Sequence, residues 1–123
     1  MGFPSYSYVP GKSPHPSHNR AEHGSSTIEY TVEPLTPDRW IRNVHYCHGI
    51  DLFNHGYYWE AHEAWEELWH RAGRKGTVAD FLKGLIALAA AGVKAREGRP
   101  AGVRRHATRA RELFDQTLKM MGP

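Results

Sequence analysis

Much of what this 123-residue chain could do is excluded by what it lacks. It carries one cysteine, Cys47, so it can build neither an internal disulfide framework nor a cysteine-paired zinc site. A lone thiol fits a reducing compartment, and Cys47 reads as a small apolar group on a helix. Long apolar runs are missing too. The longest, Gly84 to Val93, is about half the length that a membrane span requires. No N-terminal stretch is apolar enough for a secretory signal. The expected location is therefore cytoplasmic, with no membrane partner. There is no glycine-rich phosphate loop and no serine-nucleophile elbow. The charge imbalance is small, +3 at pH 7 with a pI near 9.2, and does not by itself make a nucleic-acid binder.

Aliphatic residues are nearly absent from Met1 to Ser26, which is built of Pro, Ser, Gly, His and Tyr. Such a segment buries too little surface to offset its ordering entropy, so a disordered tail is expected there. Its His15, His18 and His23 read as solvated. Thr27 to Glu33 alternates apolar and polar residues, but no second strand exists to pair with it. An extended arm lying on the body is the expectation. Residues 1–35 are thus read as tail and 36–119 as one helical domain.

What is present is helical punctuation. Thr36-Pro37-Asp38 offers a capping hydroxyl, a proline at the first helical position and an acid at the positive dipole end. This predicts a first helix from about Pro37 to Phe53, with Trp40, Val44, Cys47 and Ile50 on its apolar side. Asn54-His55-Gly56 turns the chain into a second helix, Tyr57 to about Arg71. After a polar glycine loop, Thr77 and Asp80 resemble a capping box and open a third helix to about Glu97. That helix is apolar nearly all round from Phe81 to Val93, as a central helix is. Gly84, Ala87, Ala91 and Ala95 form a small-residue seam on it. Gly98 closes it, and Pro100 starts a fourth helix to about Lys119, with Val103, Ala107, Ala110, Phe114 and Leu118 inward. The predicted fold is all-α, a four-helix bundle of two stacked helical hairpins.

One stretch gathers the chemistry. Tyr57 to His70 packs three tryptophans, four glutamates and two histidines into about four turns. Trp59, His62, Glu63, Glu66 and His70 share one broad stripe, and Tyr58, Ala61, Trp65, Leu68 and Trp69 a neighbouring apolar one. Gly49 to Glu66, reading G-I-D-L-F-N-H-G-Y-Y-W-E-A-H-E-A-W-E, resembles the signature of the family catalogued as domain of unknown function 309. Gly84 to Ala91, Arg96-Glu97-Gly98 and the Arg/Ala-rich stretch from Ala101 to Phe114 continue the likeness, which covers about residues 40–118. The resemblance implies an all-helical fold and, as a suggested activity, metal-dependent hydrolysis. Ala87 stands where relatives are expected to carry Gln, so no role of that Gln transfers.

Three readings compete for the stretch. His62 and Glu66 stand four apart, the spacing that aims two ligands at one metal, with Glu63 between them as a candidate general base. His48, Asp51 and His55 on the first helix could complete a site for a divalent zinc, iron or manganese ion. Alternatively, Arg96, Arg99, Arg104, Arg105, Arg109 and Arg111 neutralise the glutamates, and the tryptophans are core. The third reading is a binding face for a protein or small-molecule ligand through Trp59, Glu60, Trp65 and Arg105. The four glutamates argue against nucleic acid, since they would repel phosphates. Four tryptophans in so small a domain also make a homodimer an expectation. Taken together, the leading expectation is a non-catalytic helical domain that binds a protein or ligand through its second helix, with the metal-dependent hydrolase as the alternative.

Overall fold

The computed structural model describes residues 3–4, 6–10 and 33–120. Its elements are a 3-10 turn at Trp40–Arg42 and four helices: α1, Val44–Asn54; α2, Tyr58–Arg71; α3, Thr77–Glu97; and α4, Pro100–Met120. No strand occurs among the described residues. Extensive packing joins α1 to α2, α2 to α3 and α3 to α4, so two antiparallel hairpins stack through α2 and α3. None of the described helices is long and apolar enough to cross a membrane.

The start of α1 differs from the expectation at Pro37. Thr36 to Arg42 spends its backbone groups on short turns: Arg39 N–H donates to Thr36 O, and Arg42 N–H to Arg39 O. Asn43 then adopts extended backbone, ψ 113°, which stops any helix propagating from that side. Its side-chain oxygen accepts from Tyr46 N–H at 2.9 Å, and its amide donates to Glu33 O at 2.9 Å. A buried Asn that caps a helix and braces an arm outweighs the start offered at Thr36. Trp40 and Val44 consequently lie on the surface.

The expected glycine turns are in place. Gly56 and Gly98 have φ +84° and +73°, and Gly98 ends α3 in the left-handed conformation that needs no Cβ. The expected capping box at Thr77 is not formed, because Gly76 takes the N-cap position and supplies no side chain. Arg74 is left-handed as well, φ 65°. Its guanidinium donates to His70 Nδ1 (3.0 and 2.8 Å) and lies 5.6 Å from the Trp69 ring centre. These contacts hold a conformation that costs a non-glycine residue about 1–2 kcal/mol.

The core runs through Leu35, Leu52, Ala61, Trp65, Leu68, Leu82, Leu85 and Ala89. Trp65 is fully buried against Gly49 of α1, and its indole N–H donates to Tyr46 O at 3.3 Å. The same device recurs where Tyr58 lies on Gly92 and Phe114 on Gly84. Each glycine lets an aromatic ring approach a helix backbone, and burying each ring is worth a few kcal/mol. The inner stripe of α4 is Gly102, Ala110, Leu113 and Thr117; Ala107 and Leu118, expected inside, are exposed. A turn of one residue about the helix axis accounts for both, since Ala110 and Phe114 border either stripe.

The described part of the N-terminal tail is non-helical and lies against α1 and α2. The Phe3 ring packs on His55 at 4.9 Å and Tyr57 at 5.3 Å, and Tyr8 meets Trp59 edge-on at 4.9 Å. The rest of the expected disordered tail, and the arm from Thr27 to Val32, fall outside the described residues.

Candidate functional site

The stripe structure of α2 splits its acidic residues between two flanks. At 3.6 residues per turn, Ala61, Trp65 and Leu68 set the inward direction, and all three are buried. Glu60 then falls on the α1 side and His62 on the opposite side, with Glu63 and Trp59 between them facing outward. One helix thus presents three distinct environments within four residues.

Glu60 is buried, at 7% exposure. A carboxylate removed from water is costly by several kcal/mol unless it is hydrogen-bonded. Here each oxygen takes a donor from the N-terminal segment: Ser7 Oγ donates to Oε1 and Tyr8 N–H to Oε2, both at 2.7 Å. Distances this short mark charge-assisted bonds, roughly twice as strong as neutral ones. Ring contacts flank this carboxylate, Phe3 beside His48, His55 and Tyr57 at one end and Tyr8 on Trp59 at the other.

Glu63 makes no hydrogen bond or ion pair among the described residues. Crowding that removes its carboxyl from water, and then the like charges of Glu60 and Glu66, push it up to about 7. The residue nevertheless keeps much of its surface exposed, so solvent screens most of this effect from the folding free energy. His62 lies toward α3 and α4. Its Nε2 is 3.3 Å from Glu66 Oε2, and its buried Nδ1 has no hydrogen-bond partner among the described residues. Burial drives the imidazole pKa down against the pull of Glu66, so the ring is neutral at pH 7. His106 of α4 is also lowered, by burial first and then by Arg105, Lys94 and His62.

The metal expectation meets a different arrangement. His48 and His55 sit beside the Phe3 ring, and His55 Nδ1 is engaged with Asp51 O at 2.8 Å. Asp51 is exposed. None of the three joins His62 and Glu66, and no three His, Cys, Asp or Glu side chains converge as metal ligands among the described residues. Among the described residues, these candidate donors do not gather into one metal site. The first-helix ligands face the tail because α1 turns Gly49 and Leu52, not its histidine stripe, toward Trp65.

Charge neutralisation by α4 is not found either. Arg104, Arg105 and Arg109 are exposed and line a shallow outer groove with Thr108 and Glu112. Arg109 pairs with Glu112 at 3.8 Å. Among the described residues no ion pair links an α4 arginine to an α2 glutamate, because α4 packs chiefly on α3. Trp65, expected at a binding face, lies in the core and has no surface to offer a ligand. Trp69 is flanked by the cations of Arg74 and Lys83, at 5.6 and 5.7 Å. Sequence reasoning missed Ser7, Tyr8 and His106. The available signal was aromatic: Phe3, Tyr6 and Tyr8 stand in a tail otherwise suited only to solvent.

The helical hairpins and the His/Glu/Trp-rich α2 define a class, a small all-α domain built from two stacked hairpins. The sequence model of the family described as domain of unknown function (DUF309) matches residues 46–106 of the chain, which supports the resemblance to that family. That match spans most of α1, all of α2 and α3, and the first turns of α4. No curated protein and no solved structure matches the chain.

Proposed function

We propose that this protein is a small binding domain whose second helix, α2, receives a non-helical polypeptide segment across the α1/α2 face. The observation that carries the reading is the Glu60 carboxylate, buried and holding both a hydroxyl and a backbone amide of one segment. Main-chain hydrogen bonds that give affinity, beside seated side chains that give specificity, recur where domains take up extended peptides. In this chain the occupant is its own described N-terminal residues, 3–4 and 6–10. Binding needs Trp59 and Glu60; it needs neither Trp65 nor Arg105. Amide hydrogen exchange at Tyr8 tests the reading. The wild-type amide should be protected, and Glu60→Ala should raise its exchange about 10- to 100-fold, as loss of a hydrogen bond to a charged group implies. Exchange of the wild-type Tyr8 amide at the rate of an unstructured peptide would refute it.

A second reading, hydrolysis, has one observation in its favour. A carboxyl titrating near 7 at Glu63, beside the His62–Glu66 pair, is tuned for proton transfer at neutral pH. Among the described residues no ligands converge for the metal-dependent version. Assay against phosphoester and peptide substrates decides it. Turnover lost in Glu63→Gln at unchanged stability would put this reading ahead of the binding one.

A further inference from the structure

At the end of the molecule away from the Gly56 and Gly98 turns, the 35–40 segment, α1, α3 and α4 enclose a cavity of about 410 Å³. Its walls are aromatic and aliphatic, formed chiefly by Leu35, Trp40, Tyr46, Val78 and Phe81, and none of the described side chains that line it is charged. The rings are spaced as an open ladder: Trp40 stands edge-on to Tyr46 at 6.0 Å, and Tyr46 is 6.4 Å from Phe81. The volume lies in the range of small-molecule sites, which are mostly apolar with a few polar groups that fix orientation. Tyr46 supplies such a group. Its amide and carbonyl are engaged, with Asn43 and Trp65, while its hydroxyl makes no hydrogen bond among the described residues. Partial burial without a partner pushes that phenol's pKa up, so it stays neutral and can donate or accept.

We propose that this cavity binds a small neutral aromatic molecule carrying one hydrogen-bonding group, which meets the Tyr46 hydroxyl. An ionic ligand is disfavoured, since an uncharged lining would leave its charge desolvated and unpaired. Trp40, about half exposed, stands at the mouth, where a ligand would cover it. The site is separate from the α1/α2 face and does not rest on the function proposed for that face.

The test titrates the full chain with N-phenyl-1-naphthylamine, a neutral aromatic amine that fluoresces on leaving water. Wild-type protein should bind one equivalent saturably. Val78→Trp and Thr77→Trp, each placing an indole in the cavity, should weaken binding at least tenfold while far-UV circular dichroism confirms the helices. Tyr46→Phe should weaken it about three- to tenfold, the usual worth of one neutral hydrogen bond. Absence of saturable binding to the wild type, or binding that survives both tryptophan variants, overturns the proposal. Sedimentation runs beside the titration. A dimer at micromolar concentration that both tryptophan variants abolish, with no probe bound, would make the cavity a contact between copies and would equally overturn it.

Discussion

Gly49→Ala adds one methyl group to the buried face of α1, where a Cβ would fall against the Trp65 indole, 2.7 Å from its Cδ1 and Cε2. Unstrained carbon contacts lie at about 3.5–4.0 Å, so nearly 1 Å must be found. The indole is hard to shift: it is 1% exposed and its N–H is held by Tyr46 O. Overpacking of this kind costs about 1–3 kcal/mol. If the ring swings away, its stranded N–H adds about 1–3 kcal/mol more. Against this, alanine in place of glycine favours the helix by about 1 kcal/mol. With the indole N–H stranded the packing side wins, and the expected net loss is at least about 1 kcal/mol, a fall in Tm of roughly 4–8 °C or more for a domain of this size. Urea denaturation followed by far-UV circular dichroism measures it without depending on tryptophan emission. Gly49→Ala combined with Trp65→Phe should lose less than the two single changes added together, because the smaller ring makes room. A Gly49→Ala protein as stable as wild type, or an additive pair, would refute the seating of Trp65 on Gly49.

Two further predictions concern charge and capping. Glu63 has a folded-state pKa of about 7, above its ordinary value of 4.5, so ionising it disfavours the folded state, increasingly as pH climbs from 4.5 through 7. Glu63→Gln should therefore raise Tm slightly at pH 8, since solvent screens most of the effect, and leave it unchanged near pH 4; a variant less stable than wild type at pH 8 in thermal melts would contradict the assignment. Asn43→Ala removes the α1 cap and the brace to Glu33, and should lower stability by about 1–2 kcal/mol in chemical denaturation. Asn43→Asp should restore the cap but not the bond donated to Glu33.

The turns and the central helix could be read from residues alone, because Gly56, Gly98 and the apolar run of α3 act locally. A left-handed residue closes a helix whatever packs beside it, and a helix apolar all round must be central. The start of α1 could not. Thr36-Pro37 and Asn43 both offer caps, and the choice depended on Glu33, a partner ten residues away. The facing of α4 depended on which ring, Phe114 or Tyr58, settles on which glycine of α3, a matter of three-dimensional fit. Within the site, the stretch from Tyr57 to His70 stood out by composition. Its division into a tail-facing Glu60, an outward Glu63 and an inward-flank His62 required knowing that Ala61 and Trp65 point to the core. The tail contacts were hidden because low aliphatic content outweighed three aromatics in the reading.

The pairing of each helix chiefly with its chain neighbours has a kinetic meaning. Few contacts wait on the closure of long loops, so folding should proceed outward from one hairpin by successive docking, on the microsecond to millisecond scale of low-contact-order proteins. Unfolding reverses this from the ends. Helix α4 touches the rest of the domain mainly through α3, and can open as a unit at lower free energy than α2, which is held on both sides. The α1/α2 face with its docked segment would then persist through the partial openings that a less serial fold would transmit to it.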